Sequence, residues 1–405
     1  MISSTSHFLF LLAGAGSGKT RTIVEKIRHL ISNKIALKSE ILAITFTKKA
    51  TQEMLNRIGE REINISTFHS FCYRELREYH NKDYELITED ELPFSREILL
   101  DISIHKNSLK STRPPLMYRQ YQEHLHSQGK IDYDDLELML LELLNSDADY
   151  KKKNQKKFRY IFVDEFQDTN ELQYEILKKI VSPDSYMLAV GDPDQSIYGF
   201  RGANPKIINR YIKEYKAEVL LLDTNYRSND KIISIANRVI SKNKDRIEKT
   251  IYGKNTAYGS VFLKRFGTKE VETTYIMDEI KKHISDRLQY GEIAILFRNH
   301  YFARSIIERL SDSYIPYQYN EDCMENKIQC LTIHQAKGLE FEVVFLIGLE
   351  EGNFPMNTDN RISELYEERR LFFVAITRAK RFLYISCSKR IDGNLMRPSS
   401  FLRKI

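Results

Sequence analysis

The sequence contains no tryptophan in 405 residues, although it carries 24 Tyr and 21 Phe. Any surface that stacks rings on a ligand must therefore use Phe, Tyr or His. Cysteine is scarce: Cys72, Cys323, Cys330 and Cys387 are scattered, with no C-x-x-C pair. That spacing argues against a zinc or iron–sulfur centre and fits reduced thiols in a cytosol. No apolar run approaches the ~20 residues that span a bilayer, so no membrane partner and a cytoplasmic location are expected. The first apolar run is short and lacks a basic stretch before it and an A-x-A site after it, which argues against a signal peptide. Internal repeats and low-complexity segments are absent.

What is present is globular in character, 42% hydrophobic and 29% charged. The length exceeds one ordinary core, so two or more domains are expected. A net charge of +6 permits a polyanionic partner without requiring one.

Short β-rich runs alternate with amphipathic helical stretches. The runs are Phe8–Leu12, Ile41–Phe46, Tyr160–Val163, Met187–Val190, Val219–Leu222, Val261–Phe266, Ile293–Phe297, Val343–Ile347 and Phe382–Ser386. Helical patterns include Thr20–Ile31, Thr47–Ile58, Glu171–Val181 and Arg361–Thr377. Strands apolar throughout and followed by helices predict buried parallel sheets. There are too many for one compact sheet. Two tandem α/β domains follow, with a break expected near Arg201–Lys206. Cys72–Ile131 breaks the alternation and reads as an inserted helical subdomain. The lysine-rich "YKKKNQKKFRY" reads as a solvated loop before a strand rather than a nucleic-acid patch.

Phosphate chemistry is suggested at "FLFLLAGAGSGKTRT". A strand, a small-residue turn and a helix start follow one another, so backbone N–H groups and a helix N-terminus can face phosphates. Gly14, Ala15, Gly16, Ser17 and Gly18 form the turn. Lys19 is placed to reach the β- and γ-phosphates, and Thr20 to hold Mg²⁺. Ala13 stands where a glycine is usual, a change that negative φ tolerates. "YIFVDEFQDT" ends an apolar strand in two acids: Asp164 for Mg²⁺ and Glu165 to polarise the attacking water. In "GDPDQSIYGFRGA", Gln195 is a candidate γ-phosphate sensor. Tyr198, Phe200 and Arg201 suit stacking and clamping of single-stranded bases.

Taken together, "AGAGSGKT", "ITFTKKATQEM", "STFHSFC", "VDEFQDTN", "GDPDQSIYGFRGA", "NYRS", "LTIHQAKGLEF" and "RRLFFVAITRAK" resemble, in order and wording, the superfamily 1 DNA helicases of the UvrD/Rep/PcrA type. The match runs from residue 9 to the C-terminus. It implies two RecA-like domains with ATP in the cleft between them, and 3′-to-5′ translocation on single-stranded DNA. It implies Arg227 and Arg378 as cations for the γ-phosphate, Arg21 and Tyr226 as the adenine sandwich, and Glu340 as a ribose contact. For DNA it implies Phe46, Thr47, Thr67, His69, Tyr198, Phe200, Arg201 and His334. Phe200 stands where that family usually has Trp. For Phe46 and Phe68 taken singly, core packing is an equal alternative.

The resemblance implies an organisation of residues 1–72 and 132–203 as domain 1A, 73–131 as the helical insertion 1B, and 204–405 as domain 2A. Two family elements have no counterpart. The glutamine that reads adenine upstream of the phosphate loop is missing, so either the choice of base is open or the sequence as given lacks its start. The helical domain called 2B is replaced by a linker near 317–329, so ATPase and translocation are expected to be kept, with strand separation either weak or reliant on 1B or a partner. The leading expectation is an ATP- and Mg²⁺-dependent translocase and helicase acting on single-stranded DNA and single/double-strand junctions. The alternative is a DNA-stimulated ATPase subunit of a phage, antiphage-defence or repair complex, working with a nuclease or a repair or replication factor. No nuclease constellation of acids and lysine appears outside the ATPase motifs.

Overall fold

The computed structural model describes residues 6–60, 62–109, 113–319, 326–356 and 361–403. It divides into two compact units. One comprises Met1–Ala13 and Gly18–Leu222, the other Gly14–Ser17 and Asp223–Ile405.

The first unit is built on β1 (Phe8–Ala13), β2 (Ile41–Thr45), β3 (Asn64–Thr67), β4 (Tyr160–Val163), β5 (Tyr186–Gly191) and β6 (Glu218–Leu222). All pairings are parallel, in the order β3-β2-β4-β5-β1-β6. β1, β2 and β4 lie inside the sheet and are buried almost throughout, which is why they read as unbroken apolar runs. Helices α1 (Lys19–Ser32), α2 (Lys48–Ile58) and α3 (Phe68–His80) follow the first three strands. The apolar side of α1, with Ile23, Val24, Ile27 and Leu30, packs on Leu9, Leu11, Ala43 and Leu188 of the sheet.

The insertion begins later than its composition suggests. Cys72 lies within α3 and is fully buried in the unit's core. The inserted part contains α4 (Arg96–Ser108), α5 (Tyr118–Gln128) and a two-residue parallel ladder, Glu85–Leu86 with Lys130–Ile131. Its own small core gathers Ile87, Leu99, Ile102, Tyr121 and Leu125. The chain returns through α6 (Tyr133–Ser146) and α7 (Ala148–Lys157). The expected lysine-rich loop is therefore a helix. Asp147 caps it by accepting the N–H groups of Asp149 and Tyr150, and Lys153 and Lys157 pair with Glu78 of α3. Then come α8 (Glu171–Ile180) and α9 (Lys206–Glu214).

The break near Arg201–Lys206, and with it the expected domain start at residue 204, is also corrected. β6 hydrogen-bonds to β1 from Leu9↔Glu218 to Ala13↔Leu222, so α9 and β6 complete the first sheet and the division falls after Leu222.

The second unit contains α10 (Asp230–Ile240), β7 (Ser260–Phe266), α11 (Lys269–Ser285), β8 (Ile293–Phe297), α12 (Arg304–Asp312), β9 (Tyr317–Tyr319), β10 (Ile328–Thr332), β11 (Phe341–Leu346), α13 (Ile362–Ile376) and β12 (Ala379–Ser388). Its sheet is again all parallel, in the order β7-β12-β11-β8-β10-β9. Ile293, Ile295, Phe297, Val343 and Phe345 form one side of its core. A short parallel pair, Thr224–Asn229 with Tyr252–Asn255, stands apart from this sheet. The expected linker near 317–329 is strand at both ends, with Tyr317 opposite Ile328 and Tyr319 opposite Cys330. Residues 320–325, including Cys323, lie outside the described residues. Cys72, Cys330 and Cys387 are buried free thiols.

Candidate active site

In a parallel α/β sheet, ligands bind beyond the carboxyl ends of the strands. Every nucleotide motif of the first unit sits at such an end. Ala13 closes β1 and is not among the residues with positive φ, so its replacement of glycine is accommodated. Gly16 and Gly18 do need to be glycine: their φ values are +64° and +91°. Ser17 Oγ donates to the Gly14 carbonyl at 2.8 Å and tightens the turn. Gly18 is the N-cap of α1 and supplies no side-chain cap. The first N–H groups of α1 are thus disposed to meet an anion.

Lys19 and Thr20 open α1 and face the two acids that follow β4. Lys19 Nζ lies 3.1 Å from Glu165 Oε1, and Thr20 Oγ1 donates to Asp164 Oδ2 at 2.9 Å. Burial, then the neighbouring Glu165 charge, pushes the Asp164 carboxyl up to about 6. Asp164 Oδ1 accepts the Glu165 N–H at 2.9 Å. Glu165 itself has φ +52°, the left-handed region, in which few non-glycine residues are found. Thr20 and Asp164 offer the hard oxygen donors that suit Mg²⁺, which is commonly held by one or two protein oxygens with phosphates and water completing the shell. Among the described residues no cluster of three or more His, Cys, Asp or Glu could hold a metal by itself.

Gln167 escaped the sequence reading. Gln167 Nε2 donates to the Glu165 carboxylate, and Gln167 Oε1 accepts the Asp192 N–H at 2.8 Å. Ser196 Oγ also donates to the Gln167 carbonyl at 3.1 Å. Gln167 therefore bridges the acids after β4 to the loop after β5. Gln195, the expected sensor, is buried and donates to Asp192 Oδ2 at 2.6 Å. The signal was present in "DEFQDT", two residues past the acid, but a glutamine's role is set by what it touches.

The same loop after β5 carries exposed aromatics. Phe46, 38% exposed at the end of β2, stacks on Tyr198 with centroids 4.9 Å apart and rings 22° from parallel. Phe200 is 41% exposed, and the Arg201 guanidinium stands 5.7 Å from its ring centre. Phe68, by contrast, is buried. Thr47 and Thr67 cap α2 and α3, accepting the N–H groups of Ala50 at 3.1 Å and Ser70 at 3.3 Å. His69 Nε2 lies 3.2 Å from Glu137 Oε1 on α6. Burial pushes the Glu137 carboxyl up to about 7, against the pull of His69 and with the push of Asp134.

In the second unit, Arg227 and Glu340, expected separately at the γ-phosphate and the ribose, are paired. Arg227 Nε is 2.5 Å from Glu340 Oε2, and Lys380 Nζ is 3.1 Å from Glu340 Oε1. Burial pushes the Glu340 carboxyl up, but these two cations outweigh it and hold the group below the usual carboxylate range. Arg378 is only 2% exposed. Its guanidinium donates to the carbonyls of Val374 and Leu339 and to Thr377 Oγ1. Tyr226 is exposed, and its N–H donates to the Gly16 carbonyl at 3.1 Å. Asn225, also missed, is buried and donates to the Ala15 carbonyl. Arg21 is exposed in the first turn of α1, and His334 is half-buried in the turn after β10.

A glycine phosphate loop after β1, with a hydroxyl–carboxylate pair and an adjacent acid after β4 on the far side of β5 in the same parallel sheet, defines a P-loop nucleotide-hydrolase fold. The chain belongs to the UvrD/REP helicase family. The model of the UvrD/REP helicase N-terminal domain matches residues 1–113 and 100–216. That of the UvrD-like helicase C-terminal domain matches residues 220–324 and 318–390. The chain is 33% identical to the probable DNA helicase II homolog of Mycoplasma capricolum subsp. capricolum, over 76% of this chain and 49% of that protein. It is 31% identical to a probable DNA helicase of Mycoplasma pneumoniae, over 97% of this chain and 83% of the relative. It is 34% identical to the ATP-dependent DNA helicase PcrA of Staphylococcus epidermidis, over 78% of this chain and 49% of the relative. It thus spans about half the length of the first and third of these relatives. Among the described residues, no helix is long and apolar enough to cross a membrane.

Proposed function

We propose that the chain is the motor of an ATP-dependent DNA helicase, a cytoplasmic 3′-to-5′ translocase on single-stranded DNA and single/double-strand junctions. The observation that carries this reading is the loop from Asp192 to Arg201. At one end it is hydrogen-bonded through Gln167 to Glu165; at the other it presents Tyr198, Phe200 and Arg201. One short segment therefore serves both the hydrolytic acids and a stacking face.

Phosphoryl transfer asks a protein mainly for positioning and charge. Residues 14–18 and the N-terminus of α1 orient the phosphates, and Lys19 neutralises the β- and γ-oxygens. Thr20 and Asp164 would hold Mg²⁺, which supplies further charge neutralisation on those oxygens. Glu165 accepts the proton of the attacking water, and Gln167 fixes its carboxylate. The family resemblance assigns Arg227 and Arg378 to the charge that develops on the γ-phosphate, Arg21 and Tyr226 to the base, and Glu340 to the ribose. Phe46, Tyr198 and Phe200 stack on bases. Thr47, Thr67, His69, Arg201 and His334 contact the strand.

The deciding experiment measures hydrolysis of ATP and GTP with and without single-stranded DNA, then strand displacement on 3′-tailed and 5′-tailed duplexes. ATP hydrolysis stimulated by DNA and displacement from the 3′ tail alone are expected. An ATPase indifferent to DNA would sink the reading. A second reading is a DNA-stimulated ATPase subunit working with a nuclease or a repair or replication partner. The short connection between β9 and β10 favours it, because only residues 320–327 separate the two strands. Stimulated hydrolysis without displacement would select it.

A further inference from the structure

The proposed reading places His69 against the nucleic acid, and Glu165 at the chemistry. A continuous set of polar contacts within the first unit joins the two. Glu137 projects from α6 and is completely buried. Its Oε1 lies 3.2 Å from His69 Nε2 and accepts a hydrogen bond from Gln173 Nε2 at 2.9 Å. Gln173 is the third residue of α8 and forms a reciprocal cap with Asn170. Its N–H donates to Asn170 Oδ1 at 2.8 Å, and its Oε1 accepts the Asn170 N–H at 3.3 Å. Asn170 is only five residues beyond Glu165. The intervening turn is stiff: the Asp168 N–H donates to the Glu165 carbonyl and the Thr169 N–H to the Phe166 carbonyl. Asn170 Nδ2 also donates to Asn107 Oδ1 at 2.8 Å, and Asn107 Nδ2 to Asp134 Oδ1 at 2.9 Å. The acid-bearing turn is therefore held from α4, α6 and α8 together.

A buried carboxylate in this position costs stability unless its neighbours compensate. An apolar residue would fill the same place at the α3–α6–α8 junction without that cost. What the carboxylate adds is direction. It holds the His69 ring by Nε2, 3.2 Å from Glu137 Oε1, while the side chain stays partly exposed. The His69 side chain is 40% exposed, with the Tyr133 ring 5.3 Å away.

We infer that Glu137 is a positioning residue that transmits strand binding at His69 to the hydrolytic turn through Gln173 and Asn170. A strand that pulls on His69 shifts Glu137, and with it the cap of α8 and the backbone that aims Glu165. The inference rests on the proposed reading of His69 as a DNA contact.

The test uses the full chain with Glu137→Leu, Glu137→Gln and His69→Gln. Steady-state ATP hydrolysis is measured with and without an oligothymidylate strand, alongside thermal melting. In Glu137→Leu the basal kcat and the KM for ATP stay as in wild type, while DNA stimulation of kcat falls by about five-fold or more. Glu137→Gln, which keeps an acceptor for Gln173, retains part of the stimulation. It also tests the inference should the leucine variant fold poorly. Adding His69→Gln to Glu137→Leu brings no further loss of stimulation, because both act on one path. Wild-type stimulation in both Glu137 variants overturns the inference and leaves the function standing. Equal loss of basal and stimulated kcat also overturns it, as a merely structural role. A wild-type enzyme that DNA does not stimulate overturns the reading and the inference together.

Discussion

Two six-stranded parallel sheets of similar construction both bury acids, Glu137 in the first unit and Glu272 and Glu350 in the second, yet they differ in what they gather beyond the strand ends. In the first unit, Lys19, Thr20, Asp164 and Glu165 meet beyond the strand ends, and the loop after β5 shows aromatic rings to solvent. In the second, Arg227 and Lys380 pair with the exposed Glu340. Arg378 caps backbone carbonyls, and a buried acidic group lies beneath β12. There Glu272 is paired with Lys269 at 2.7 Å and accepts from Ser388 Oγ at 2.9 Å. Nearby Glu350 accepts the Ser388 N–H at 2.7 Å. Burial, then the Glu272 charge, pushes the Glu350 carboxyl up to about 7. Shared architecture therefore does not decide where chemistry happens. What decides it is which polar groups the sequence places at the strand ends.

The contrast can be broken most directly at Lys19. Lys19→Ala should lower ATP hydrolysis by about 100-fold or more, the scale for losing one electrostatic donor at a transition state. Single-strand binding should persist, as read by fluorescence anisotropy; near-normal turnover would remove the phosphate loop from the site. Gln167→Ala tests the bridge between the acids and the aromatic loop. It should reduce kcat by about 10-fold or more while the KM for ATP changes little, since misplacing a catalytic group is expensive in rate.

Phe200→Ala should weaken single-strand binding by about 1–3 kcal/mol, the usual value of one stacked base. Phe200→Trp, with a larger ring, should strengthen it; an unchanged dissociation constant in both would withdraw Phe200 from the strand face. The smallest effect belongs to the second unit. A carboxyl raised in the folded state stabilises below its unfolded pKa and loses that contribution as pH rises through the folded value of about 7. Glu350→Gln, mimicking the neutral form, should therefore stabilise the chain by about 1–2 kcal/mol at pH 8. The gain should vanish near pH 4, as measured by urea unfolding. A stabilisation independent of pH would mean that the Glu350 carboxyl titrates alike in the folded and unfolded chain.

The phosphate loop and its acids were legible because their chemistry is local: a few adjacent residues after an apolar strand set both the backbone and the ligand atoms. The apolar strands were legible for the same reason. Asn64–Thr67 and Tyr317–Tyr319 were not, because strands this short owe their existence to the partner they pair with. The division after Leu222 was hidden likewise, since only the β1–β6 pairing shows where the last strand of the first sheet belongs. Gln167, Asn225 and Glu137 were missed as polar residues whose partners are distant in sequence. Arg378 was expected from its motif at a phosphate, and its contacts with Val374 and Leu339 appear only once the chain is folded.

Glu165 has a consequence of another kind. A glutamate at φ +52° occupies backbone territory that glycine would hold more comfortably. Its carboxylate is nonetheless what the proposed hydrolysis needs there. Under the proposed function, selection for turnover and selection for a durable fold pull on one residue in opposite directions, and drift toward greater robustness at this turn would silence hydrolysis.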